Sequence, residues 1–168
     1  MPYRTLRNCR LMLRPWVLGL LLAGAAIQAP VDAVAMPTGA IVITDHLLNP
    51  AKHDFEKDLK TEAKTALPKP PESESWKVFF IASLTRAPGA EDVNIVFYDA
   101  SVPVKAGQPK EPVQAYPLRT KATARMLQAS IDLKDEDGFK AGKKYTVLIT
   151  RLVGGKEEVY ARSALELK

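Results

Sequence analysis

Residues 68–75, Pro-Lys-Pro-Pro-Glu-Ser-Glu-Ser, divide the chain into two kinds of sequence. Pro68, Pro70 and Pro71 remove three main-chain donors and fix three φ angles, so neither a helix interior nor a central strand accommodates them. The composition predicts a stiff, polar linker. Before it, apolar residues recur at helical spacing. After it, they alternate with a period of two. A chain punctuated in this way is expected to place one helix ahead of a β-rich remainder.

In the segment 36–67, the β-branched run Ile41 to Thr44 reads as a first strand. Asn49 is a suitable helix cap and Pro50 a suitable first helical residue. Phe55, Leu59, Ala63 and then Ala66 or Leu67 follow at helical spacing, and Pro68 stops the pattern. Glu56 and Lys60 are four residues apart, a favourable helix-surface pair. The spacing predicts a helix over about 51–66. Its apolar stripe is narrow, so it should lie on the surface of another element.

Beyond the linker, 76–85 is rich in aromatic and β-branched residues and reads as a strand. Trp76, Val78, Phe80, Ala82 and Leu84 fall on one face. Phe79 and Ile81 on the other predict partial cover there too. Residues 93–99 alternate as a second strand, and Pro88-Gly89 suits the centre of a type II turn, so the two are expected to form a hairpin. Pro103, Pro109, Pro112 and Pro117 leave room only for short edge strands, such as 113–116. Around 127–133, Leu127, Ala129, Ile131 and Leu133 alternate, although Leu127 and Ile131 also fit a helix; the neighbouring strands favour strand. Segments 143–153 and 157–167 flank Gly154-Gly155-Lys156, which predicts a hairpin. Val159, Ala161, Leu165 and Leu167 would face inward.

Turn signals every 8–15 residues among these segments fit an antiparallel β-sandwich. The run Phe139-Lys140-Ala141-Gly142-Lys143-Lys144-Tyr145, continuing into Val147 and Ile149, resembles the entry to strand F of immunoglobulin-like and fibronectin type III domains. The resemblance implies a structural corner in which the Tyr145 hydroxyl bonds to upstream backbone, with Phe139 and Gly142 shaping the approach. It covers about 76–168. Trp76 opens the first strong strand rather than the third, and the paired cysteines of antibody domains are missing. The expected fold class is therefore mainly β: an antiparallel immunoglobulin-like β-sandwich preceded by one short helix. A superfold of this kind carries no activity of its own.

The first 35 residues differ from the rest. Arg4, Arg7, Arg10 and Arg14 precede an apolar run over 17–29, and Ala33 and Ala35 form an A-x-A site. That order is the pattern of a secretory signal peptide, with cleavage expected after Ala35. The apolar run has 13 residues, short of the roughly 20 needed to span a bilayer. No transmembrane span is expected in the mature chain, and its expected location is the periplasm or the exterior. The whole chain carries 24 basic and 19 acidic residues. Removing four arginines and Asp32 leaves 20 and 18, a mature net charge near +2. The basic balance thus belongs largely to the leader and gives no ground for nucleic-acid binding. Cys9 is the single cysteine and precedes the cut. A disulfide, a thiol nucleophile and a cysteine-bound zinc are therefore excluded from the mature chain.

Few residues carry a chemical signal. Asp132, Asp135, Asp137 and Gly138 approximate the start of an EF-hand loop, but the first spacing is off by one and the twelfth position falls on Lys144. A solvated turn is the better reading. His46 and His53, seven residues apart with Asp45 and Asp54 beside them, are separated by Asn49-Pro50, which breaks the helical spacing a shared metal would need. Arg119, Lys121 and Arg125 form a basic stretch able to contact an anionic partner, or simply a solvated edge. There is no G-x-S-x-G, H-E-x-x-H or phosphate loop, so no catalytic residue, metal or cofactor is assigned. The expectation is an exported, non-catalytic module that binds a protein or an envelope polymer. The alternative is a small envelope hydrolase or small-ligand-binding domain with a pocket the sequence does not announce.

Overall fold

A computed structural model of the chain describes residues 36–103 and 110–168. The expected signal peptide at 1–35 lies outside the described residues. The elements run β1 (Ile41–Thr44), α1 (Phe55–Glu62), β2 (Ala66–Leu67), β3 (Ser75–Ser83), β4 (Asp92–Asp99), β5 (Gln114–Arg119) and β6 (Met126–Lys134). A 3-10 turn (Asp135–Asp137), β7 (Lys144–Val153) and β8 (Lys156–Leu167) complete the order. The protein is mainly β with one short helix near the N-terminal end of the described chain.

The strands form two sheets. One has the order β1-β3-β6 and the other, strongly curled, the order β2-β8-β7-β4-β5. β3 is the centre of the smaller sheet and pairs antiparallel with β6 along nine residues, Ser75↔Lys134 to Ser83↔Met126. This pairing answers the ambiguity at 127–133: a helix there would leave one whole edge of β3 without partners. Trp76, Val78, Phe80, Ala82 and Leu84 all point into the core, as their alternation requires.

Four expectations are corrected. First, 76–85 and 93–99 do not form a hairpin, because β3 and β4 belong to different sheets. β3 already has β1 and β6 on its two edges, and β4 has β5 and β7. The connection crosses between the sheets, held by Leu84 N–H to Arg125 O at 2.8 Å and Thr85 N–H to Tyr160 O at 2.9 Å. Second, the larger sheet is mixed rather than antiparallel, since β2 runs parallel to β8. Third, the helix is shorter than expected. Asn49 Oδ1 accepts Ala51 N–H at 3.0 Å, which closes a local turn, and α1 begins only at Phe55. At its other end, Leu67 is drawn into the core beside β8, so the chain leaves the helix after Glu62. Fourth, Val159 is exposed and Tyr160 is buried. Ile149 pairs with Ala161 but Thr150 with Val159, so Tyr160 is an extra residue in a β-bulge. The bulge reverses the in-out alternation of β8 on either side of it.

One core draws on both sheets. Trp76, Phe80 and Leu133 of the smaller sheet pack in the same cluster as Ile95, Phe97, Ile149 and Leu165 of the larger. A second cluster lies on the opposite face of β3. There Ile81 meets Phe55 and Leu59 of α1, with Met36 and Leu48. The partial cover expected over Ile81 is therefore supplied by the chain's own helix, whose two buried residues are one turn apart. Residues 68–75 connect β2 to β3. Lys69 N–H bonds Lys168 O at 2.8 Å, and the Trp76 indole N–H donates to the same oxygen at 3.1 Å.

Candidate functional site

α1 does not cover the smaller sheet completely. Between helix and strand lies a groove of about 170 Å³, lined by Met36, Pro37, Val42, Leu59 and Ala63, with Glu56 and Lys60 at its rim. Its origin is the narrow stripe of α1. Phe55 and Leu59 reach the sheet, but the next residue in the series is Ala63, whose methyl group is too small to fill the space beside Val42. The lining is apolar, with the charged heads confined to the edge.

A second concavity, of about 410 Å³, lies among Lys69, Ser73, Glu74, Lys134, Asp135 and Glu136. Its charges are largely engaged with one another. Lys69 is paired with Asp135 and stands 4.5 Å from the centre of the Trp76 ring. Lys134 is paired with Glu136 at 2.9 Å, and that hydrogen bond raises the affinity of its amine for its proton. The acidic run thus disperses. Asp135 goes to Lys69, Glu136 to Lys134, and Asp137 accepts from the Tyr116 hydroxyl at 3.1 Å. Burial of the Tyr116 ring, with Asp137 beside its hydroxyl, pushes that hydroxyl far above its ordinary pKa. Of the EF-hand-like residues, Asp135 and Asp137 thus turn to separate partners, Lys69 and Tyr116.

The run after the acidic turn builds a corner. Phe139 is fully buried and meets Phe97 edge to face at 5.3 Å and Tyr145 at 5.3 Å. Gly142 takes φ +76, and its N–H reaches Leu167 O at 2.7 Å. The Tyr145 hydroxyl accepts the Lys140 N–H at 2.9 Å. The Phe139 and Tyr145 side chains and the Gly142 N–H are thus all engaged within the chain.

The basic stretch is spread over the connection from β5 to β6. Arg119 ends β5, and Lys121 opens the turn closed by Ala124 N–H to Lys121 O at 2.9 Å. The Arg125 guanidinium donates to Thr85 O at 3.2 Å. Arg119, Lys121 and Arg125 are exposed, and one of the three is occupied in fastening the crossing between sheets.

The two histidines part company. The His53 side chain is fully exposed and stands 3.6 Å from Asp54. His46 Nδ1 lies 2.7 Å from Asp45 Oδ1. Glu62, the last residue of α1, joins them: one ligand atom from each of Asp45, His46 and Glu62 falls within 4.8 Å of the others. The hydrogen bond with His46, aided by Lys64, holds the Asp45 carboxyl below its usual pKa. From the sequence, His46 is considered only beside His53 and that pair is set aside; in the fold the carboxylate that comes near His46 and Asp45 is Glu62. Glu62 is sixteen positions away, and only the return of the chain after α1 brings it near; no local pattern signals that.

Comparison with known proteins finds no matching family model, no similar curated protein and no similar solved structure. The class of protein therefore rests on the fold and these surfaces alone: a mainly β protein of two sheets sharing one core.

Proposed function

We propose that the chain is an exported, non-catalytic β-sandwich module of immunoglobulin-like type that binds another protein of the cell envelope. The leader-like pattern at 1–35 supports export. The bond between the Tyr145 hydroxyl and Lys140 N–H supports kinship with immunoglobulin-like corners, while the parallel β2–β8 pair is a departure from that pattern. The observation that carries the binding reading is the apolar groove between α1 and β1. An envelope polymer of sugars would need several inward-facing donors and acceptors. A groove lined by Met36, Pro37, Val42, Leu59 and Ala63 suits an apolar side chain of a protein instead. The hydrolase alternative would need titratable groups held apart in pKa within a cleft. The charged concavity near Lys69 instead holds the ion pairs Lys69–Asp135 and Lys134–Glu136, which favours the binding reading.

The test places a photo-crosslinking residue at Ala63, which is exposed at the groove, and irradiates the protein in envelope extract. A specific protein adduct is expected, and Ala63→Arg should cut capture of the same protein on immobilised bait by roughly tenfold. Adducts to glycan alone, or equal capture by Ala63→Arg, would reject a protein ligand in this groove.

A further inference from the structure

We propose that Asp45, His46 and Glu62 form a binding site for a divalent transition-metal ion of the zinc type, which fastens the end of α1 to the bend after β1. The proposal is independent of what occupies the apolar groove. Three observations carry it. The first is convergence from two elements: Asp45 and His46 follow β1, Glu62 closes α1, and their ligand atoms lie within 4.8 Å of one another.

The second is the fixed backbone beneath them. The hydroxyl of buried Thr44 donates to His46 O at 2.7 Å and sets the bend. Lys64 N–H donates to Ile43 O at 2.8 Å, which ties the chain just past Glu62 to β1. Burial of Phe55 and Leu59 holds the helix. A tetrahedral ion with bonds near 2.0–2.1 Å needs ligands about 3.3 Å apart. The ligand atoms now lie within 4.8 Å of one another, so the site requires side-chain rotation, not movement of the main chain, to close to that spacing.

The third is the donor set. An imidazole nitrogen with two carboxylate oxygens suits zinc and its neighbours better than calcium or magnesium, which take oxygen ligands. A cation is already attracted to the place: Lys64 Nζ stands 3.8 Å from Asp45 Oδ2. A doubly charged ion in direct contact with both carboxylates would displace that flexible ammonium, with water completing the coordination. His46 offers a ring nitrogen to the ion alongside the two carboxylates.

The experiment uses protein purified without a histidine tag, stripped with a chelator and titrated with zinc chloride. Calorimetry should show about one saturable equivalent, and melting should shift upward because the ion binds the folded chain. His46→Ala and Glu62→Gln should each weaken binding by roughly tenfold or more and remove the melting shift. His53→Ala should do neither. In the unmodified protein, the His46 ring resonances should move and those of His53 should stay. No saturable binding, undiminished binding in the His46 and Glu62 variants, or dependence on His53 would each overturn the proposal.

Discussion

The carboxylate of Asp99, at the end of β4, accepts hydrogen bonds from the Ser101 hydroxyl at 2.6 Å and the Ser101 N–H at 2.8 Å, and pairs with Lys143 at 3.1 Å. Those bonds, with Ser101 contributing most, lower its pKa to about 2. An unfolded aspartate titrates near 3.9. Between about pH 4 and pH 2 the unfolded chain binds a proton that the folded chain refuses, so folding is penalised as the pH falls. The stabilisation is complete above the unfolded value and is lost as the pH drops through about 2. Asp99→Asn lacks this contribution, so its melting temperature should fall less steeply than wild type from pH 4 to pH 2. Parallel curves would show that the bonds do not discriminate between the two protonation states. The same scale shows what a short motif can reveal. Phe139, Gly142 and Tyr145 lie close together in the chain, so the resemblance that implies a corner there rests on local residues, and the Tyr145 hydroxyl accepts the Lys140 N–H. Asp99 is tied to Lys143 across 44 positions, and Glu62 reaches His46 only through the turn of the chain, so neither left a local trace.

At the scale of elements, alternation located the strands from β3 onward, and its failures have definite causes. A bulge at Tyr160 inserts one residue and turns Val159 outward. Strand pattern says which residues face a core but not which strand lies alongside, so the β3–β4 hairpin was misread. The helix was visible from Phe55 and Leu59, yet its ends were set by competitors. The Asn49 turn delays its start, and the pull of Leu67 toward β8 ends it. Its docking depends on few residues. Leu59 is buried against Ile81, Phe55, Met36 and Leu48. Leu59→Ala should cost about 2 kcal/mol or more in urea unfolding and expose residues 51–66 to protease before the sheets unfold. If the stability loss appeared with no change in local cleavage, α1 would be bound into the global unfolding unit instead.

Among the described residues, both sheets share the main core, with Trp76 deep within it. The larger sheet has no interior apart from this core, and the smaller sheet adds only the cluster of Ile81 with Phe55, Leu59, Met36 and Leu48. Far-ultraviolet circular dichroism and near-ultraviolet aromatic signals should therefore follow a single coincident transition in denaturant. Two resolved midpoints would mean that the sheets unfold independently. Among the described residues, the buried side chains other than apolar and aromatic ones are Thr44 and Thr150, and no buried side-chain polar atom lacks a partner. That apolar interior follows from the alternating residues themselves. The sequence by itself determined the mainly β class, the helix ahead of it, the breaks at proline and glycine, and the leader-like start, because each depends on neighbours a few bonds apart. Only the tertiary structure decided which strands pair, that β2 runs parallel to β8, that the helix leaves a groove beside Val42, and that Glu62 meets His46. Those outcomes depend on contacts between residues far apart in the chain, and are settled by which arrangement buries the most apolar surface while satisfying the strand edges.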